Sequence, residues 1–117
     1  MLRYAPDVPL STAAKIEALS RDFGSQRRLA GLLDVDPAQV TRWRRGQGVD
    51  ELNAERVDLL ELVMASLLRL YPMDVAERWL QGANPHLGGR RPLDLVRRGQ
   101  ARDLLDALAS ERAGSFA

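Results

Sequence analysis

Apolar residues recur along this chain at intervals of three and four, and no stretch sustains the alternation that a strand requires. Ile16, Leu19 and Phe23 fall at i, i+3 and i+7 and predict a helix over 11–23, capped by Ser11 or Thr12 and ended by Gly24. Leu29, Ala30 and Leu33 share one side of a second, short helix that Ser25 caps. Val40 and Trp43 form the inner stripe of a third. Asp36 and Pro37 open that helix, Gln39 is placed to reach back as in a capping box, and Gly46 follows its last turn. Asp34 stands in the turn between the second and third helices, where glycine is common, and Asp tolerates a positive φ better than most residues.

The longest helical segment is 50–71. Glu51, Glu55 and Asp58 make one side of its first half polar, whereas LLELVMASLLRLY is apolar nearly all round. A helix apolar on every side needs cover on every side, and the expected sources are the C-terminal region and a second copy of the chain. After the break at Pro72, residues 73–80 predict a short helix with Val75, Ala76 and Trp79 inward. Residues 83–91 read as a loop from Asn-Pro, a glycine pair and the absence of periodicity. Pro92–Arg98 restarts a helix that Gly99 ends, and 101–109 predicts the last one, with Leu104, Leu105 and Leu108 as its stripe. Residues 1–10 read as an extended arm and ERAGSFA as a polar tail. The pattern is all-α.

With Val40 and Trp43 turned inward, Gln39, Thr41, Arg42, Arg44 and Arg45 are left pointing outward. Two short helices joined by a tight turn, the second polar and basic on its free face, read as a helix-turn-helix suited to the DNA major groove. Gln39, Thr41 and Arg42, near the start of the third helix, are the candidates for base edges. Ser25, Gln26, Arg44 and Arg45 are the candidates for phosphates. Trp43 belongs to the core by its spacing to Val40.

Length and composition narrow the chemistry. A chain of 117 residues makes one domain, or one with a small appended module. It contains no Cys and a single His, His86, so neither disulfides nor thiolate or imidazole metal sites are expected, and no cofactor. The acids lie on solvated faces rather than converging, which argues against an enzyme. MLRYAPDVPL lacks the apolar run of a signal peptide and no stretch reaches the length of a membrane span, so a cytoplasmic location is expected. A net charge of +1 conceals clustering. Residues 24–46 hold five arginines against Asp34 and Asp36, 50–66 hold five acids against Arg56, and 90–103 hold five arginines against Asp94 and Asp103. Two basic patches separated by an acidic one predict two anionic or polar partners, or one such partner and a self-contact.

The second half carries a longer motif: Trp79-Leu80, Asn84-Pro85, Leu87-Gly88-Gly89 and Pro92-Leu93-Asp94-Leu95, ending at Gly99. Together these resemble the toxin-binding domain of the Xre/MbcA/ParS antitoxins, in which a helix-turn-helix precedes the module as it does here. The resemblance implies a type II antitoxin whose partner is a RES-domain toxin, an enzyme that consumes NAD⁺, and which binds the promoter of its own operon. The resemblance leaves out the arm at 1–10, and the chain divides as that arm, a DNA-binding region at 11–48, a central helix at 50–71 expected to dimerise by analogy with symmetric readers of DNA, and a toxin-binding module with its tail at 72–117. Gly88 and Gly89 let the backbone approach a partner closely, and Arg90 and Arg91 beside them reach toward an acidic or nucleotide-binding cleft. His86 reads as a turn residue within that loop, and Phe116, a large apolar side chain near the terminus, as an anchor for a toxin pocket. The alternative is a stand-alone helix-turn-helix regulator, homodimeric through its C-terminal half.

Overall fold

The computed structural model describes residues 11–114 and is all-α: seven α-helices and one short 3-10 turn, with no strand among the described residues. The order is α1 Thr12–Phe23, α2 Gln26–Leu33, α3 Pro37–Arg44, α4 Glu51–Leu67, α5 Met73–Gln81, the 3-10 turn Pro85–Leu87, α6 Pro92–Arg98 and α7 Ala101–Gly114. The arm expected at 1–10 and the candidate anchor Phe116 lie outside the described residues. The chain divides into two compact units, Met1–Val57 and Asp58–Ala117, with the boundary inside α4.

In the N-terminal unit, α1 packs on α2 and α3, and α2 on α3. Ile16, Leu19, Phe23, Leu29, Ala30, Leu33, Val40 and Trp43 are all buried, as the spacing predicts, and Leu32 joins them. Each helix start is capped by a side chain: Ser11 Oγ accepts from the Ala14 amide at 3.1 Å, Ser25 Oγ from Arg28 at 3.1 Å and Asp36 Oδ1 from Ala38 at 2.8 Å. The expected capping box does not close. Gln39 Oε1 instead accepts from Arg42 Nη2 at 2.9 Å, because a charged donor one turn along makes the stronger bond. The α2–α3 turn is a Schellman motif: Val35 N donates to Ala30 O at 3.0 Å and Asp34 N to Gly31 O at 3.2 Å. Asp34 takes the left-handed position with φ 59°, so the residue that looked out of place adopts the conformation glycine would.

Helices α4 and α7 depart from expectation in four places. First, α4 stops at Leu67 rather than continuing to Tyr71. Leu70 N and Tyr71 N both donate to Leu67 O, a tightened turn ahead of Pro72, which disfavours helical geometry at the residue before it. Second, α4 is not covered on every side: Leu59, Leu60, Val63, Met64 and Leu67 are buried, while Leu62 is 44% exposed and Ala65 lies on the same open face. Third, Leu104, Ala107 and Leu108 form the buried stripe of α7, and Leu105, rotated by about 100° from Leu104, is exposed. Fourth, α7 runs on to Gly114, through residues that read as tail.

The length of α7 and the position of Trp79 share a cause. Trp79 is only half-buried, not the core residue its spacing predicted, and its indole N–H is turned to a polar partner. It donates to Glu111 Oε1 at 3.0 Å, and Tyr71 Oη donates to Glu111 Oε2. One carboxylate on the last turns of α7 therefore joins the end of the α4 segment to α5.

Candidate nucleic-acid and partner-binding surfaces

The N-terminal unit presents α3 with its polar face outward. Arg42 and Arg45 are exposed, Gln39 is half-buried, and Gln39 and Arg42 bond to each other, so two of the three base-edge candidates form one hydrogen-bonded pair. Thr41 is turned differently. Its Oγ1 accepts from Gln26 Nε2 at 3.0 Å and donates to Pro37 O at 3.3 Å. Arg44 Nε and Nη2 donate to Glu17 Oε1 at 2.9 and 2.6 Å, and its Nη1 donates to Gln26 Oε1. Gln26, Thr41 and Arg44 thus converge, with Glu17 of α1, on a polar network that lines an open concavity of about 320 Å³ together with Arg45. Ser25 spends an oxygen lone pair on capping α2, leaving its O–H free to rotate toward a ligand. Sequence reasoning missed Glu17. It lies on the second turn of α1, between the core positions Ile16 and Leu19, and nothing local relates it to α3.

The loop of the C-terminal unit is organised by a residue that the motif contained but the reading gave no role. Asn84 is 5% exposed. Its Oδ1 accepts from His86 N at 2.9 Å, its backbone oxygen accepts from Leu87 N and Gly89 N at 3.0 and 2.9 Å, and its backbone N–H donates to Arg90 O at 3.1 Å. Around that hub, Gly88 and Gly89 take consecutive left-handed conformations, φ 64° and 87°. A Cβ on either would meet nothing within 4 Å, so backbone conformation and not space selects glycine here. His86 is exposed, and its backbone N–H is the donor that Asn84 Oδ1 holds.

Both candidate arginines of this loop are tethered. Arg90 Nε donates to Leu87 O at 2.8 Å and Nη2 to Asp103 at 3.4 Å. Arg91 grips Asp94 with two donors, at 2.9 and 3.3 Å. That hydrogen bonding, joined by the charges of Arg91, Arg97 and Arg98, holds the Asp94 carboxyl below its ordinary range and raises the Arg91 guanidinium above its own. The stabilisation is therefore present at neutral pH and fades only as pH falls through the depressed value. His86, Leu87, Gly88, Arg90, Asp103 and Asp106 line a second concavity, of about 400 Å³. Glu111 went unnoticed, although a signal existed: position 111 continues the stripe of 104 and 108. Among the described residues no cluster of His, Asp and Glu could hold a metal ion, and no helix is long and apolar enough to cross a membrane.

Three comparisons bear on these surfaces. Residues 66–114 match the antitoxin Xre/MbcA/ParS C-terminal toxin-binding domain. The mycobacterial cidal antitoxin MbcA of Mycobacterium tuberculosis is 35% identical over 100 residues, covering 85% of this chain and 88% of that protein. The Mycobacterium bovis protein of the same name is similar to the same degree, 35% over 100 residues. The crystal structure of the M. tuberculosis MbcT–MbcA toxin–antitoxin complex holds a chain that superposes with a TM-score of 0.71 at 29% identity. That match covers 94% of this chain and the whole of the other.

Proposed function

This chain belongs to the Xre/MbcA/ParS antitoxin family, and from that premise we propose that it binds and blocks a RES-domain toxin that consumes NAD⁺ and represses its own operon by binding DNA. The observation that carries the reading is the end-to-end likeness to the antitoxin of a toxin–antitoxin complex. It acts by occupying surfaces and not by turnover.

The toxin-facing surface is the loop built on Asn84. His86, Gly88, Gly89, Arg90 and Arg91 form it, with Phe116 as a further anchor. The charges of Arg90 and Arg91 meet an acidic or nucleotide-binding cleft, exchanging Asp103 and Asp94 for groups on the toxin. Both arginines are more than one-third exposed and their pairs are weak, so the exchange costs little. Reversing both charges, Arg90→Glu with Arg91→Glu, is expected to weaken toxin capture by about a hundred-fold or more, since like charges meeting across an interface cost several kcal/mol. The thermal midpoint should fall modestly, because the pairs lost and the like-charge contacts made with Asp94 and Asp103 are exposed and screened. Capture is measured by co-expression with the neighbouring open reading frame, pull-down and an NAD⁺-consumption assay; undiminished capture would remove this loop from the interface.

The N-terminal unit is the DNA reader, with α2 and α3 as its helix-turn-helix. Gln39 and Arg42 reach base edges, and Thr41 sits beside them. Ser25, Gln26, Arg44 and Arg45 address phosphates. Because a bidentate base contact discriminates by about 1–3 kcal/mol, Arg42→Ala is expected to reduce preference for the promoter over a scrambled duplex by roughly five- to a hundred-fold. A mobility shift on both duplexes checks it; equal losses on the two would make Arg42 a phosphate contact. A homodimer, consistent with the open apolar face of Leu62 and Ala65 on α4, supplies the two-fold symmetry that such readers use.

A further inference from the structure

Arg44 is already occupied on the surface proposed to meet the duplex. All three of its side-chain nitrogens donate within the chain, Nε and Nη2 to Glu17 at 2.9 and 2.6 Å and Nη1 to Gln26. Gln26 passes the connection to Thr41, so that α1, α2 and α3 each contribute to one network. Arg45, the next residue, lines the same concavity, and its guanidinium has no ion pair or hydrogen bond with the described residues. Two adjacent arginines thus stand in opposite states, one bound by a carboxylate and one open.

We infer that Glu17 sets the affinity of this surface by competing with a DNA phosphate for Arg44. The inference rests on the reading of the N-terminal unit as a DNA reader. A phosphate offers the guanidinium the same planar match to oxygen that a carboxylate does. The pair is 41% and 46% exposed, so solvent screens it and the exchange is readily reversible. Once Arg44 leaves, Glu17 remains as an unpaired negative charge beside the duplex. That penalty falls on every DNA sequence alike, because phosphates carry no sequence information. Glu17 therefore lowers non-specific grip and leaves base readout by Gln39 and Arg42 intact. It is a positioning residue that acts through Arg44.

The test uses the full chain as wild type, Glu17→Gln, Arg44→Ala and the double variant, with promoter and scrambled duplexes between 50 and 200 mM salt. Glu17→Gln keeps the shape and an acceptor oxygen and removes the charge. It is expected to tighten both duplexes by about five-fold, the scale of one exposed ion pair. The salt slope should steepen by about 0.9, one further phosphate contact. In the Arg44→Ala background the gain should shrink to the relief of one unpaired negative charge, with no further phosphate contact to steepen the slope. A gain of equal size in that background, an unchanged slope, or weaker binding from lost helix packing would each overturn the inference and leave the DNA reading standing. Failure of all four proteins to bind either duplex at 50 mM salt would sink the DNA reading and the inference together.

Discussion

Trp43→Ala is expected to destabilise the N-terminal unit by about 3–5 kcal/mol, the range for removing a buried Trp from a core. Trp43 is 1% exposed and lies on α3, which packs on both α1 and α2. A domain's whole stability is about 0.05–0.15 kcal/mol per residue, so a unit of this size should be left at or past its unfolding threshold. Loss of helical signal at ambient temperature, followed by circular dichroism in denaturant, is the measurement. Trp43→Phe separates two contributions. The indole Nε1 is buried with no hydrogen-bond partner among the described residues. A buried donor left unpaired costs about 1–3 kcal/mol, comparable to what the smaller ring loses in packing. The Phe variant should therefore lie within about 1 kcal/mol of wild type, on the same comparison of terms. An alanine variant that melts like wild type would mean that α3 is held by something other than this side chain.

Asn84→Ala is expected to open the loop of the C-terminal unit, at a cost of about 0.5–1.5 kcal/mol for the lost bond to the His86 amide. The consequence reaches beyond one bond. The Asn84 side chain fixes the turn in which its own backbone oxygen accepts from Leu87 and Gly89, so releasing the side chain loosens both. Hydrogen exchange at the His86, Leu87 and Gly89 amides should accelerate together, with the buried stripe of α7 unaffected. Toxin capture should fall although no proposed toxin contact has been altered. Unchanged exchange at all three amides would show that the glycine conformations hold the loop by themselves.

How much of this was legible in the residues depends on how local the cause is. The N-cap residues Ser11, Ser25 and Asp36, the left-handed Asp34 and the limits of α6 follow from chemistry within four or five positions, and the structure agrees with each, although the capping box at Gln39 does not form. The length of α7 does not follow that way. ERAG reads as solvated tail until Glu111 acquires donors 40 and 32 positions earlier in the chain. Trp79 misled for the same reason: its spacing says inward, and its N–H needs a polar partner that spacing cannot supply. On α3 the outward residues were identified from the inner stripe. That Thr41 and Arg44 would be tied back through Gln26 and Glu17 depends on where α1 packs, which no periodicity within α3 encodes. The family motif contained Asn84 without revealing its use, since a buried Asn organising a loop and a solvated Asn before proline are written identically.

The placement of the two tryptophans gives each compact unit its own optical reporter. Trp43, sealed in an apolar setting, should emit toward the blue; Trp79, partly wet and bonded to a carboxylate, should emit further to the red. Titrating the chain with duplex and then with toxin, and resolving the two bands, would tell which half senses each ligand without any label being attached.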